Sequence, residues 1–139
     1  MNFSPTKYYP VLLEVYAGPE FQKVQETFKT SWPQVHFPAA YEAITVSVDG
    51  RGSAYQGNVL ESFFILIFYY KIKIVNIQNL IILYKHSKQG DNFMFANYKA
   101  LGQTEPVDQV DFMHWFLNKS PYVDNVDKTR VACYGWSYG

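Results

Sequence analysis

Arg130-Val131-Ala132-Cys133-Tyr134-Gly135-Trp136-Ser137-Tyr138-Gly139 is the stretch on which the reading of this chain turns. Val131 to Tyr134 is a short apolar run with strand character, and Gly135 to Gly139 fits Gly-x-Ser-x-Gly, the nucleophile-elbow pattern. Such an elbow is a tight turn from strand to helix that holds its serine strained and exposed above the end of a sheet. The two glycines meet a steric demand, because a Cβ at either position would collide across so sharp a turn. Three fixed residues also arise by chance, so the pentapeptide takes its weight from the strand pattern before it.

With 139 residues, 48% hydrophobic and 19% aromatic, the chain holds enough apolar surface for one core and is too short for two domains. It is one domain or part of one. Twelve basic residues balance twelve acidic ones, so no charge excess points to nucleic acid or to an anionic membrane surface. Cys133 is the sole cysteine, which excludes an intrachain disulfide and a multi-cysteine metal site. Its place in the strand predicts a buried side chain. Residues 1–7 lack the basic start and apolar run of a signal peptide and read as if cut from a longer protein.

Upstream of the elbow, Tyr8 to Tyr16 is rich in β-branched and aromatic residues and closes on Ala17-Gly18-Pro19, a strand followed by a turn. Glu20 to Trp32 has no clean period, and Pro33 and Pro38 break any long helix, so this part reads as loop with a short helical piece. Ala43 to Val48 is a second strand, followed by the turn Asp49-Gly50-Arg51-Gly52-Ser53. Val107, Val110, His114 and Leu117 fall on one helical face with Met113 beside them, and Ser120-Pro121 stops that helix before Asp124-Asn125 turns into the last strand. Strand, strand, helix, strand and elbow in this order predict a parallel α/β sheet.

Several separated motifs carry a resemblance. Tyr9 to Pro19 (Tyr-Pro-Val-Leu-Leu-Glu-Val-Tyr-Ala-Gly-Pro), Asp49 to Ser53, Tyr55-Gln56-Gly57, Asp108-Gln109, Tyr122-Val123-Asp124 and Gly-Trp-Ser-Tyr-Gly occur in this order. Together they resemble the catalytic domain of the prolyl oligopeptidase family of serine peptidases, and within it the dipeptidyl peptidase IV branch, which the Trp and Tyr flanking Ser137 favour. The resemblance covers residues 7–62 and 96–139. It implies the N-terminal part of an α/β-hydrolase fold ending at the elbow, peptide substrates, release of N-terminal dipeptides with a preference for cleavage after proline, and no cofactor. It leaves open a homodimer in the parent protein and a membrane-anchored, secreted or cytosolic location.

Between the matching parts, 63–95 has a composition of its own. It holds seven of the chain's eight isoleucines, whereas the flanks use valine, a bias that translated AT-rich DNA produces. Removing it leaves Asn58 to Ser62 joined to Ala96 to Ala100, the ten-residue spacing the resemblance implies. The expectation is an incomplete catalytic domain over 1–139 interrupted by a retained intron. Lys71 and Lys73 interrupt the run, so it lacks the roughly 18 to 20 uncharged apolar residues of a membrane span.

Carried over position by position, the resemblance makes Ser137 the nucleophile, with the backbone N–H of Tyr138 and the phenol of Tyr16 as the two oxyanion donors. A tyrosine at an ordinary strand end would only pack its ring in the core; the motif around Tyr16 gives it the second role. Trp136 reads as elbow packing. In hydrolases of this kind the acid and base follow the serine as Asp and then His, which places both beyond Gly139. His36, His86 and His114 precede the serine and read as ordinary histidines, and Asp49 reads as a residue that holds its own turn. The competing expectation is a chain that is catalytically inactive by itself or a non-catalytic relative, since it would own a nucleophile without a base. Asn118-Lys119-Ser120 fits the N-glycosylation pattern but is followed by Pro121 and settles no location.

Overall fold

The computed structural model describes residues 3–25, 30–53 and 94–139. The Tyr55-Gln56-Gly57 motif, His86 and nearly all of the biased interval lie outside the described residues. Among the described residues three strands form one parallel sheet: β1 (Tyr9–Val15), β2 (Ile44–Val46) and β3 (Val126–Gly135), in the order β2-β1-β3. Among the described residues two α-helices accompany it, α1 (Phe37–Tyr41) and α2 (Glu105–Lys119). The parallel α/β arrangement is the expected one.

Both faces of β1 are covered, which is how parallel sheets bury their apolar strands. On one face Tyr9, Val11 and Leu13 alternate toward a core with Ile44, Val46, Val48 and, from α2, Phe112, Met113 and Phe116. Phe116 is fully buried. On the other face a π-helical turn, Trp32–His36, which runs straight into α1, meets the sheet. There Thr45 Oγ1 donates to the Pro33 carbonyl at 2.6 Å, and the buried Glu14 carboxylate accepts from Lys23 Nζ at 2.6 Å.

Several sequence expectations are corrected by this packing. Pro33 and Pro38 do not simply break structure: each sits in the first turn of a short helical segment, where a missing N–H costs nothing and the fixed φ suits a helix start. On α2, the buried stripe is Glu105, Gln109, Phe112, Met113 and Phe116. The predicted face is largely the opposite one, with Val107 and Val110 about half exposed and His114 exposed. The polar Gln109 disguises the buried stripe, because its amide donates to the Val48 carbonyl at 3.2 Å. Cys133 is exposed, not buried, since from Lys128 onward β3 is exposed along its length.

β3 starts directly after Asp124-Asn125, as the turn there predicts, but it is not regular along its length. Its register against β1 shifts between Tyr9, paired with Val126, and Val11, paired with Val131. The polar run between them is thus a bulge in one strand, internally tied by Asp127, whose carboxylate accepts from Thr129 Oγ1 at 2.6 Å and Arg130 Nε at 2.6 Å. Those bonds, the Thr129 hydroxyl first, hold the Asp127 pKa down at about 2.

Candidate functional site: the elbow at the end of β3

Parallel pairing brings two chain exits together. Val15 pairs with Gly135, so Tyr16 and Ser137 follow the carboxyl ends of adjacent strands, the place where open α/β sheets carry their sites. Ser137 has φ 58°, in the left-handed region that side chains with a Cβ rarely enter. The turn around it closes with Gly139 N–H donating to the Trp136 carbonyl at 3.0 Å.

The glycine demand read from the sequence has a direct geometric counterpart. A Cβ on Gly135 would overlap the Gly139 carbonyl carbon and lie 2.7 Å from its oxygen. One on Gly139 would overlap the Val15 carbonyl oxygen and lie 2.9 Å from the Gly135 Cα. The elbow is therefore folded back on itself and pressed against the end of β1.

Each expected site residue has a definite place. The ring of Tyr16 lies over Gly18, where a Cβ would come within 2.9 Å of the phenol oxygen, and packs edge-on against Phe21 at 4.8 Å between centroids. Tyr138 reaches away from the turn, and its phenol donates to Glu105 Oε1 at 2.8 Å. Trp136 is 77% exposed, so the elbow-packing role expected for it is not what the described residues show. His36 and His114 are exposed, and neither is hydrogen-bonded through its ring to Ser137. Asp49 holds the chain before α1, accepting from the backbone N–H groups of Lys23 at 2.9 Å and Val24 at 2.8 Å.

The turn after β2 is anchored to α2. Asp108 takes Arg51 in a forked ion pair, with Nη2 at 2.7 Å and Nε at 3.0 Å from Oδ1, and also accepts the Arg51 backbone N–H at 2.6 Å. Gly52 has φ 94° and lies against the Asn97 amide, so the turn requires glycine there on both counts.

Comparison with known proteins agrees with these features. The prolyl oligopeptidase family model (Peptidase_S9) matches residues 78–139, which include α2, β3 and the elbow. The chain is 35% identical to dipeptidyl peptidase 4 of Sus scrofa over 138 residues. Over these residues the chain is similar to the prolyl oligopeptidase family. Other similar proteins are prolyl endopeptidase FAP of Bos taurus, 30% identical over 139 residues, and probable dipeptidyl-aminopeptidase B of Arthroderma benhamiae, 34% identical over 138. Each alignment takes in 99% of this chain but only 11% to 13% of the relative, so the chain spans a small part of the length of the proteins it matches.

One residue of the site was not foreseen. Glu105, the first residue of α2, is 3% exposed and receives the Tyr138 phenol. Its signal in the sequence is an acidic residue followed by Pro106, a helix start, which by itself says nothing about the elbow. Burial opposes ionisation of Glu105, but the hydrogen bonds from its own N–H, Tyr138, Gly102 and Thr104 outweigh it and hold the pKa below the ordinary 4.5. The same hydrogen bond to Glu105, with burial adding, keeps the Tyr138 phenol above its ordinary value.

Proposed function

We propose that this chain carries the nucleophile-bearing part of a dipeptidyl peptidase-like serine peptidase, built on an α/β-hydrolase fold, that releases N-terminal dipeptides with a preference for cleavage after proline. The observation that carries the reading is the strained Ser137, at φ 58° between two glycines whose places no Cβ could occupy. A backbone held in that region costs on the order of 1–3 kcal/mol and persists at sites that use it. The relatives' names, dipeptidyl peptidase 4 and prolyl endopeptidase FAP, support the substrate class.

In this reading Ser137 Oγ attacks the carbonyl carbon of the scissile bond while its proton passes to a base supplied by the whole protein. The C–N bond then breaks, the amine leaves with that proton, and an acyl-enzyme remains for water to hydrolyse. The Tyr138 N–H and the Tyr16 phenol donate to the oxyanion, and losing one such donor costs about 3 to 4 kcal/mol of transition-state stabilisation. The acid and base of the triad are proposed to lie after Ser137 in the whole protein, and 63–95 to interrupt the catalytic domain.

The test is hydrolysis by the full-length protein of an X-Pro anilide with a free amine, beside its N-acylated analogue and an X-Leu anilide. Preferred release from the free-amine X-Pro substrate is expected. Equal or better turnover of the acylated compound would replace the dipeptidyl reading by an endopeptidase one, and turnover that survives Ser137→Ala would remove the serine mechanism.

A further inference from the structure

The end of β1 holds the elbow on one side, with Val15 paired to Gly135 and the Val15 carbonyl against Gly139. Residues 128–139 are exposed, and the turn's own closure is the Gly139 N–H bond to the Trp136 carbonyl. A strained backbone keeps its conformation only when its surroundings over-determine it. On another side, a hydrogen bond from the elbow reaches α2: the Tyr138 phenol donates to Glu105 Oε1 at 2.8 Å.

The acceptor is itself held firmly. Gly102 N–H donates to both Glu105 oxygens, at 3.2 and 3.1 Å, and Thr104 Oγ1 donates to Oε2 at 3.4 Å. Gly102 has φ 76°, a conformation open to glycine, which turns that N–H onto the carboxylate. Glu105 also stands in the first turn of α2, where the helix dipole favours a negative charge. A phenol on a buried carboxylate is a charge-assisted hydrogen bond, roughly twice as strong as a neutral one.

We propose that Glu105 is a positioning residue for the elbow: its carboxylate holds the Tyr138 phenol and thereby fixes the backbone from Ser137 to Gly139, which carries the Tyr138 N–H. The inference rests on the serine-peptidase reading for its catalytic consequence, but the structural link does not depend on it. Glu105 acts through Tyr138 and touches no reacting atom.

A double-mutant cycle in the full-length protein tests it, using Glu105→Ala, Glu105→Gln, Tyr138→Phe and the double Glu105→Ala/Tyr138→Phe, with kcat corrected for active-site concentration. Each of Glu105→Ala and Tyr138→Phe is expected to lower kcat about tenfold while KM moves less than about twofold. The double variant should lose no more than either single, and Glu105→Gln, whose amide oxygen still accepts, should recover part of the loss. Losses that multiply in the double variant, or a silent Tyr138→Phe, would overturn the proposal. If Glu105→Ala does not fold, Tyr138→Phe, which removes one oxygen atom, decides. If the wild-type protein turns over no peptide, the peptidase reading fails separately. Amide exchange over 136–139 then still tests the link: faster exchange in Tyr138→Phe supports it, and unchanged exchange refutes it.

Discussion

Ser137 trades stability for exposure. A serine at φ 58° bears a strain that glycine would relieve, offset in part by the greater freedom of glycine in the unfolded chain. Ser137→Gly is therefore expected to raise the unfolding free energy of the full-length protein by about 1 kcal/mol while abolishing acylation. The urea midpoint measures the first and probe labelling the second; a destabilised Ser137→Gly would contradict the strain. Glu105 gives a pH dependence of definite sign. Its folded pKa is lowered, so its contribution is present above the unfolded value of about 4.5 and is lost as pH falls through the folded value. Tyr138→Phe removes one of the bonds that lower it, and the acid loss of stability attributable to Glu105 should shrink in that variant. Urea midpoints between pH 5 and 3 check this, and identical pH profiles in the two proteins would argue against it.

At the scale of elements, α2 joins the core, the Arg51 turn and the elbow. Phe116 and Phe112 pack on β1 and β2, Asp108 holds the Arg51 turn, and Glu105 holds the elbow. Asp108→Ala is expected to destabilise the full-length protein by about 2 kcal/mol, because the guanidinium and the Arg51 N–H lose a charged acceptor. Asp108→Asn should cost less, and denaturant titration of the pair checks the order. The elements were legible where a pattern was local. β1, the end of α2 at Ser120 and the apolar half of β3 show alternation or a stop signal in the chain itself. The buried face of α2 was not, because Glu105 and Gln109 lie in its stripe with partners on other elements. The bulge after Val126 has no local signature, because it depends on pairing with β1. For the same reason the positions of Ser137, Tyr138 and Tyr16 follow from motifs, whereas the phenol–carboxylate link spans 33 residues and has no local signature.

At the scale of the molecule, the sheet is covered on both faces of β1 but open along β3, which among the described residues pairs only with β1. Open parallel edges invite association, so residues 1–139 expressed alone are expected to aggregate or unfold without a cooperative transition, as sedimentation and urea titration would reveal. Sequencing the transcript across the codons for 63–95 tests the interruption: their absence from the major message is expected, and their presence would make the segment part of the protein. The central claim, that Ser137 is the nucleophile, is tested most directly by treating the full-length protein with a fluorophosphonate and locating the adduct by mass spectrometry. One phosphonylated site is expected, on Ser137, absent in Ser137→Ala. An adduct on another residue, or none on a folded wild-type protein, would contradict it.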